Sequence, residues 1–360
     1  MAMNQYRKIF RYYLAAALVI SALISGCGDN KSKSTLVAVE DMTGKQVMLP
    51  QSSGIKKVAA LASPQVLDIY AIGLQERLCA ITDEIKNQEL LNMFDPRLKK
   101  VSAVCGNEGQ VDNRALIDAG PDIVIGTEDS LKSIEKAGQF SPVTISSSLS
   151  QGSIRRVQEE LRFIGRVLNR QEKAEQYVNY LDNILSLIKF TLTDIPAEKR
   201  TRVFMGLGAG HLATYGGDSF MDEWIKAGGC VNAAGSIQGG GEKTGTITVS
   251  VDQVAAWDPD VIVIDSGNPD DLSKDPAWST LKAVQNKKVY RLPKGILSWN
   301  QVSLEAAAMV PQWLAITAYP DKLNFLNIND QASGFYTKIF ALRFSDNLIQ
   351  KILYPSADQK

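Results

Sequence analysis

The stretch "DAGPDIVIG", Asp118 to Gly126, nearly recurs as "AWDPDVIVID", which ends at Asp265. Each copy sets a Pro-Asp turn before an unbroken β-branched run, the pattern of a strand buried on both faces of a parallel sheet. Pro121 and Pro259 lie 138 residues apart. That spacing is far too long for a solenoid repeat and suits two lobes built on one α/β plan. A chain of 360 residues, 45% of them apolar, can supply two such lobes with sizeable cores.

The N-terminus carries Arg7, Lys8 and Arg11, then "YYLAAALVISALI", Tyr12 to Ile24, before "SGC". This hydrophobic segment of 13 residues falls short of the roughly 20 that a membrane-spanning helix needs, so residues 1–26 are expected to be an export signal. The segment "LISGC" resembles a bacterial lipobox, which implies cleavage before Cys27 and diacylglyceryl attachment to it. Residues 27–35, ending in "GDNKSKST", then form a lipidated polar tether to the membrane. Cleavage leaves 36 Lys plus Arg against 39 Asp plus Glu, a formal charge of −3, without the basic stripe of a nucleic-acid surface. Cys79, Cys105 and Cys230 remain, so at most one internal disulfide can form, and Cys79 with Cys105 is the one pair available within the first lobe.

The lobes follow from the pattern. "TLVAVEDMTGKQVMLP" alternates around "TGK" as a hairpin, and "KKVAALA" is a first central strand. "SPQVLDIYAIGL" carries apolar residues at helical spacing, with Ser63 as its expected cap and Pro64 in its first turn. "LCAIT", the segment near "AVCGNEG", "PDIVIG" and "SPVTI" supply further strands, with a short helix in "DNRALIDAG". Residues 36–150 therefore form an N-terminal α/β lobe. From Gly152 to Phe190, Ile154, Val157, Leu161, Ile164 and Leu168 trace one helical face, and Tyr177, Leu181, Ile184 and Ile188 trace another. Residues 151–190 are expected to be a stiff connector, as one helix or as two with a break near Asn169. Residues 191–355 repeat the α/β alternation through "RVFMGLG", "SFMDEWIKAGG" capped by Ser219, "SVDQVAAWDPDVIVID" and "AVQNKKVYRLP", and end in terminal helices.

In this order, "KKVAALASPQVLDIYAIGL", "NRALIDAGPDIVIG", "GGDSFMDEWIKAGGCVNAA", "VSVDQVAAWDPDVIVID" and "AVQNKKVYRLP" resemble bacterial ABC-transporter substrate-binding lipoproteins. That family binds iron-siderophores, haem, cobalamin and, in one branch, molybdate or tungstate. The resemblance implies a two-lobed α/β periplasmic-binding-protein fold, a rigid helical connector between the lobes, and a ligand cleft that closes by a small hinge motion. It implies a monomer on the extracytoplasmic side of the cell membrane, working with separate permease and ATPase subunits. It also implies one acidic residue per lobe that docks on the permease. Asp252 stands at that position in the second lobe, whereas Arg114 occupies the corresponding position in the first, where Asp112, Glu108 and Asp118 are the acidic alternatives if the loop turns them outward.

Ligand contacts are expected on loops at the cleft-facing strand ends. The candidates are Ser63, Pro64, Gln65, Asn107 and Glu108 in the first lobe, and His211, Tyr215, Trp299 and Asn300 in the second. His211 is the one histidine of the chain, suited to a hydrogen bond with the ligand or to ligation of a metal within it. A bare transition-metal site would need a richer His and Cys set. Tyr215 and Trp299, beside glycines and polar turns, are the expected stacking residues, whereas Trp224 and Trp313 belong to core helices. The run "GSIQGGGEKTGT" lacks the glycine before Lys243 that a phosphate loop requires. No catalytic motif or catalytic cofactor is indicated. The expected cargo is an iron or other metal chelate such as a siderophore, haem or corrinoid, and the alternative is molybdate or tungstate. The cargo would thus contain iron, cobalt, molybdenum or tungsten. A ligand-sensing protein or an anchored α/β enzyme is the remaining alternative class.

Overall fold

A computed structural model of the chain describes residues 36–106, 110–135, 143–144, 153–239 and 245–356. The export signal, Cys27 and the tether lie outside these residues, as do Asn107, Glu108 and Lys243. Leu36–Glu40 and Gln46–Pro50 pair antiparallel as the expected hairpin. Asp41 closes its turn by accepting hydrogen bonds from the Thr43 amide (2.9 Å) and the Lys45 amide (3.0 Å).

The strand Val58–Ala60 is central in a five-stranded parallel sheet ordered Ser102–Cys105, Leu78–Thr82, Val58–Ala60, Ile123–Gly126, Val143–Thr144. The second sheet is also parallel, ordered Val231–Asn232, Arg202–Gly206, Val261–Ile264, Val289–Arg291. The repeated motif supplies the same part to both. Ile123–Gly126 and Val261–Ile264 are buried throughout, and each pairs with the first strand of its own sheet. The helix before each strand ends in a left-handed residue, Gly120 (φ 59°) in one lobe and Asp258 (φ 48°) in the other.

The aspartate of the turn then ties its strand to that first strand. Asp122 Oδ2 accepts the amides of Lys56 (2.7 Å) and Lys57 (2.8 Å), and Asp260 Oδ2 accepts the amide of Arg202 (2.8 Å). The proline thus ends the helix and the aspartate fixes where the next strand begins.

Between the sheets in the chain lie two helices, Ile154–Val167 and Gln171–Thr191, so the connector is broken as one of the two expected forms required. Asn169 sits at the break with φ 55°, a conformation that asparagine tolerates better than most residues. The helices fold back on each other. Gln158 donates to Asp182 (2.7 Å), and Arg162 makes two bonds with Glu175 (2.7 and 3.0 Å). Near the turn Gly165 permits the closest approach, since a Cβ there would lie 2.9 Å from the Ala174 Cβ and 3.2 Å from the Arg170 carbonyl oxygen.

The largest core is continuous across both lobes. It joins Val58, Leu67 and Ile123 to Leu161 and Tyr177 of the helix pair, and these to Val203, Trp224 and Val261 of the second lobe. The buried helix Leu304–Ala318 sits within it and accepts the Tyr177 hydroxyl at the Leu304 carbonyl (2.7 Å). Trp224 and Trp313 are core residues.

The three described cysteines are free thiols. The strand register puts Cys105 opposite Thr82, three residues along from Cys79. At about 3.3 Å per residue this separates the two by roughly 10 Å, beyond the span of a disulfide.

Helix propensity favours alanine over glycine by roughly 1 kcal/mol, yet the helix contact at Gly165 opposes it. Gly165→Ala should lower stability by about 1–3 kcal/mol through overpacking. Chemical denaturation of the variant against the parent checks the sign.

Candidate functional site

In parallel α/β sheets the strand carboxyl ends and the loops after them form the ligand crevice. At the first such end, Ala62 occupies the cap position of the helix Ser63–Ala71, and no side chain caps that helix. Ser63 instead lies with its hydroxyl 2.8 Å from that of Thr82, joining two strand ends, and Thr82 Oγ1 accepts the Ile85 amide (3.3 Å). The expected capping role of Ser63 is therefore replaced by a strand-to-strand tie. Pro64 lies in the first turn, half-buried, and Gln65 is fully buried.

In the second lobe the chain turns sharply after Arg202–Gly206. Gly208 (φ 66°) and Gly210 (φ 80°) precede His211, itself at φ 57°. A Cβ on Gly206 would come within 2.7 Å of the His211 Cβ, so the turn requires glycine at that strand end. His211 is half-buried and meets Trp278 edge-on at 6.3 Å. Its Nδ1 is buried without a hydrogen-bond partner among the described residues. Burial holds the imidazole pKa below its ordinary value, opposed by the charge of Asp265. Asp265 in turn accepts the Gly208 amide (2.9 Å) and the Ser266 hydroxyl (3.0 Å).

The two aromatic residues expected to stack on a ligand are enclosed. Tyr215 is 4% exposed and donates its hydroxyl to the carbonyl oxygen of Asn300 (3.2 Å). Trp299 is 0% exposed and donates Nε1–H to Glu305 (3.2 Å). The polar ends of both rings thus find partners inside the protein. Asn300 is half-buried.

Around this loop the lobes meet. Gln88, which caps the helix Glu89–Phe94 through its Oε1, donates its amide N–H to the carbonyl oxygen of Ile296. Gln301 donates to Glu84 (3.4 Å). These residues border a groove of about 680 Å³. Its first-lobe side is Glu84, Asn87, Gln88 and Leu90, and its second-lobe side is Lys294, Ser298 and Gln301, with Lys351 contributed by the terminal helix Asp346–Leu353.

None of these groove residues is among the ligand candidates read from the sequence, although Trp299 and Asn300 lie in the same loop as Ser298 and Gln301. A signal was present: "TDEIKNQ" follows the strand Leu78–Thr82 in the same way that "SPQ" follows Val58–Ala60. Of the docking candidates, Arg114 and Asp252 are each the second residue of their helices, Asn113–Ala119 and Val251–Trp257, and both are exposed. Asp112, also exposed, caps the first of these helices by accepting the Ala115 amide (3.0 Å).

Two parallel α/β lobes, a helical connector and polar strand-end loops meeting across a groove define a class of solute-binding proteins. A family model described as periplasmic binding protein matches residues 58–295, and the chain belongs to that family. It is a non-catalytic, extracytoplasmic substrate-binding component of a bacterial ABC transporter, which implies separate permease and ATPase partners.

Two curated relatives are informative. The chain is 25% identical over 187 residues to the molybdate-binding protein MolA of Haemophilus influenzae, a match covering 51% of each, so it spans about half the length of that relative. It is 22% identical over 298 residues to the Fe(3+)-citrate-binding protein YfmC of Bacillus subtilis, covering 80% of this chain and 89% of that one. Among solved structures, a periplasmic solute-binding protein of Veillonella parvula superposes with a TM-score of 0.75 at 24% identity, covering 89% and 97% of the two chains. The molybdate-bound MolA structure superposes at 0.71 with 19% identity, covering 86% and 99%.

The half-buried His211 has a pH consequence. A histidine whose folded pKa lies below its unfolded value of about 6.5 binds protons more readily when unfolded. Its stabilising contribution is present above that value and is lost as pH falls through the lower folded one. The melting temperature of the parent should therefore drop on acidification from pH ~7 to ~5 more steeply than that of His211→Asn, which tolerates the same positive φ.

Proposed function

We propose that this protein captures a compact anionic metal chelate between its lobes and delivers it to the importer. The observation that carries this reading is the groove of about 680 Å³ bordered by both lobes. Its size falls within the roughly 300–1,000 Å³ usual for small-molecule sites. Lys294 and Lys351 supply positive charge on the second-lobe side, Glu84 and Glu89 supply negative charge on the first-lobe side, and Asn87, Gln88 and Gln301 supply amide groups. The similarity to a ferric-citrate-binding protein over most of both chains supports a carboxylate chelate. Similarity to a molybdate-binding protein over a shorter stretch favours a second reading, a bare oxyanion held by the same cations.

His211, at the carboxyl end of the second sheet, does not line this groove and is a proposed contact only for a ligand that extends beyond it. Pro64 and Asn300 remain proposed contacts, together with Asn107 and Glu108, whereas Ser63, Gln65, Tyr215 and Trp299 would act by holding the loops. Asp252 is the proposed permease contact of the second lobe, and Asp112 that of the first, beside Arg114. The lobes would comprise residues 36–150 and 191–355, a monomer tethered through a lipid on Cys27.

Calorimetric titration of the purified chain should show saturable binding of ferric citrate, recovery of the chelate unchanged, and a smaller scattering radius in the complex. Lys351→Glu should weaken binding at least about tenfold, equivalent to roughly 1.4 kcal/mol. Saturation by sodium molybdate but not by ferric citrate would replace the chelate reading with the oxyanion one. The anchor is checked separately. Cys27→Ala should abolish metabolic incorporation of labelled fatty acid, and equal labelling of parent and variant would remove the lipid from the account.

A further inference from the structure

Glu305 is 0% exposed and lies in the first turn of the helix Leu304–Ala318, whose cap, Ser303, accepts the Ala306 amide (3.1 Å). Its carboxylate accepts four hydrogen bonds. Oε1 takes the Ile296 amide (3.0 Å), the Trp299 indole (3.2 Å) and the Tyr336 hydroxyl (2.5 Å), and Oε2 takes the Leu297 amide (3.1 Å). Three of these donors belong to one short loop. That loop has no room for a side chain at its start, since a Cβ on Gly295 would lie 1.6 Å from Glu305 Oε1 and 2.3 Å from the Tyr336 hydroxyl. The same loop supplies Lys294, Gly295, Ile296, Ser298 and Gln301 to the groove.

From this geometry we infer that Glu305 is the positioning residue of the second-lobe wall of the groove. It holds the Ile296 and Leu297 peptides so that Lys294 and Ser298 face the ligand and the Ile296 carbonyl meets Gln88 of the first lobe. The inference rests on the groove being the ligand site.

The Ile296 residue is the junction. Its N–H is held by Glu305 and its carbonyl oxygen accepts from Gln88. The carboxylate is therefore one residue away from the hydrogen bond that joins the lobes. A buried carboxyl is costly to desolvate, and burial raises the Glu305 pKa even though its four donors oppose the rise. A leucine would fill this position in the core at no such cost. What a leucine lacks is the capacity to gather two adjacent amides and an indole onto one point, which is how a fixed acceptor imposes a single conformation on a loop. The helix N-terminus adds a favourable field for the negative charge.

The test compares Glu305→Gln, which keeps the shape but replaces one acceptor oxygen with a donor, with Leu314→Ala. Leu314 is buried in the same helix, away from the loop contacts, and its truncation supplies a stability-matched control. Amide hydrogen exchange at Ile296 and Leu297 and titration with ferric citrate and with sodium molybdate are measured on each. Glu305→Gln should accelerate exchange at these two amides at least tenfold and weaken whichever probe saturates the parent at least tenfold. Leu314→Ala should do neither at an equal or larger drop in melting temperature.

Unchanged exchange at Ile296 and Leu297, parental affinity despite faster exchange, or reproduction of both effects by Leu314→Ala would each overturn the inference. If Glu305→Gln fails to fold, Glu305→Asp, one methylene shorter, takes its place under the same criteria. A parent that binds neither probe would refute the proposed ligand class, and the exchange comparison alone would then decide for or against Glu305.

Discussion

The hydrogen bonds that the Lys56 and Lys57 amides donate to Asp122, and the Arg202 amide to Asp260, set the start of the paired strands in each sheet. A parallel strand cannot be aligned by a tight hairpin, because its partner arrives after a crossover. Each lobe solves this by placing an acceptor immediately before the crossover strand. Once Ile123 is level with Val58, and Val261 with Val203, the carboxyl ends of the strands and their loops fall at one edge of each sheet. Glu84 and Lys294 reach the groove from the segments that follow those edges, and the terminal helix adds Lys351.

The connection between the lobes is packed rather than slack. The helix pair is tied by Arg162 to Glu175 and by Gln158 to Asp182, and its buried faces share one core with both sheets. An exposed ion pair such as Arg162–Glu175 contributes little by itself. Most of the stiffness comes from the close contact at Gly165 and from buried residues such as Leu161 and Tyr177. A connector of this construction allows small rotations of packed bodies and resists large excursions, as befits a binding protein that must present a defined surface to a transporter.

The groove divides its chemistry between short polar loops and buried supports. Gln88 and Gln301 reach across it, while Glu305 lies beneath the loop and holds its backbone amides, with the Trp299 indole and the Tyr336 hydroxyl donating to the same carboxylate. Selectivity for a small charged ligand depends on backbone and side-chain dipoles that do not have to reorganise on binding. The cost of keeping a carboxyl inside the core is consistent with that demand.

The pattern of residues alone determined the two α/β lobes, the stiff connector and the repeated Pro-Asp strand, because hydrophobic periodicity and turn chemistry act over a few neighbouring residues. It also marked Ser219 as a cap and Trp224 and Trp313 as core, where local sequence and burial agree. Tertiary structure decided what the polar and aromatic loop residues do. Ser63 turned from its helix to Thr82, which lies 19 positions away. Trp299 went inward because Glu305 offered its indole an acceptor, and Gln88 became an interlobe contact because Ile296, 208 positions distant, presented a carbonyl oxygen. A side chain with a polar end can satisfy it inside or outside the protein. The choice depends on which partners the fold brings within about 3 Å, and no local spacing in the sequence carries that distance.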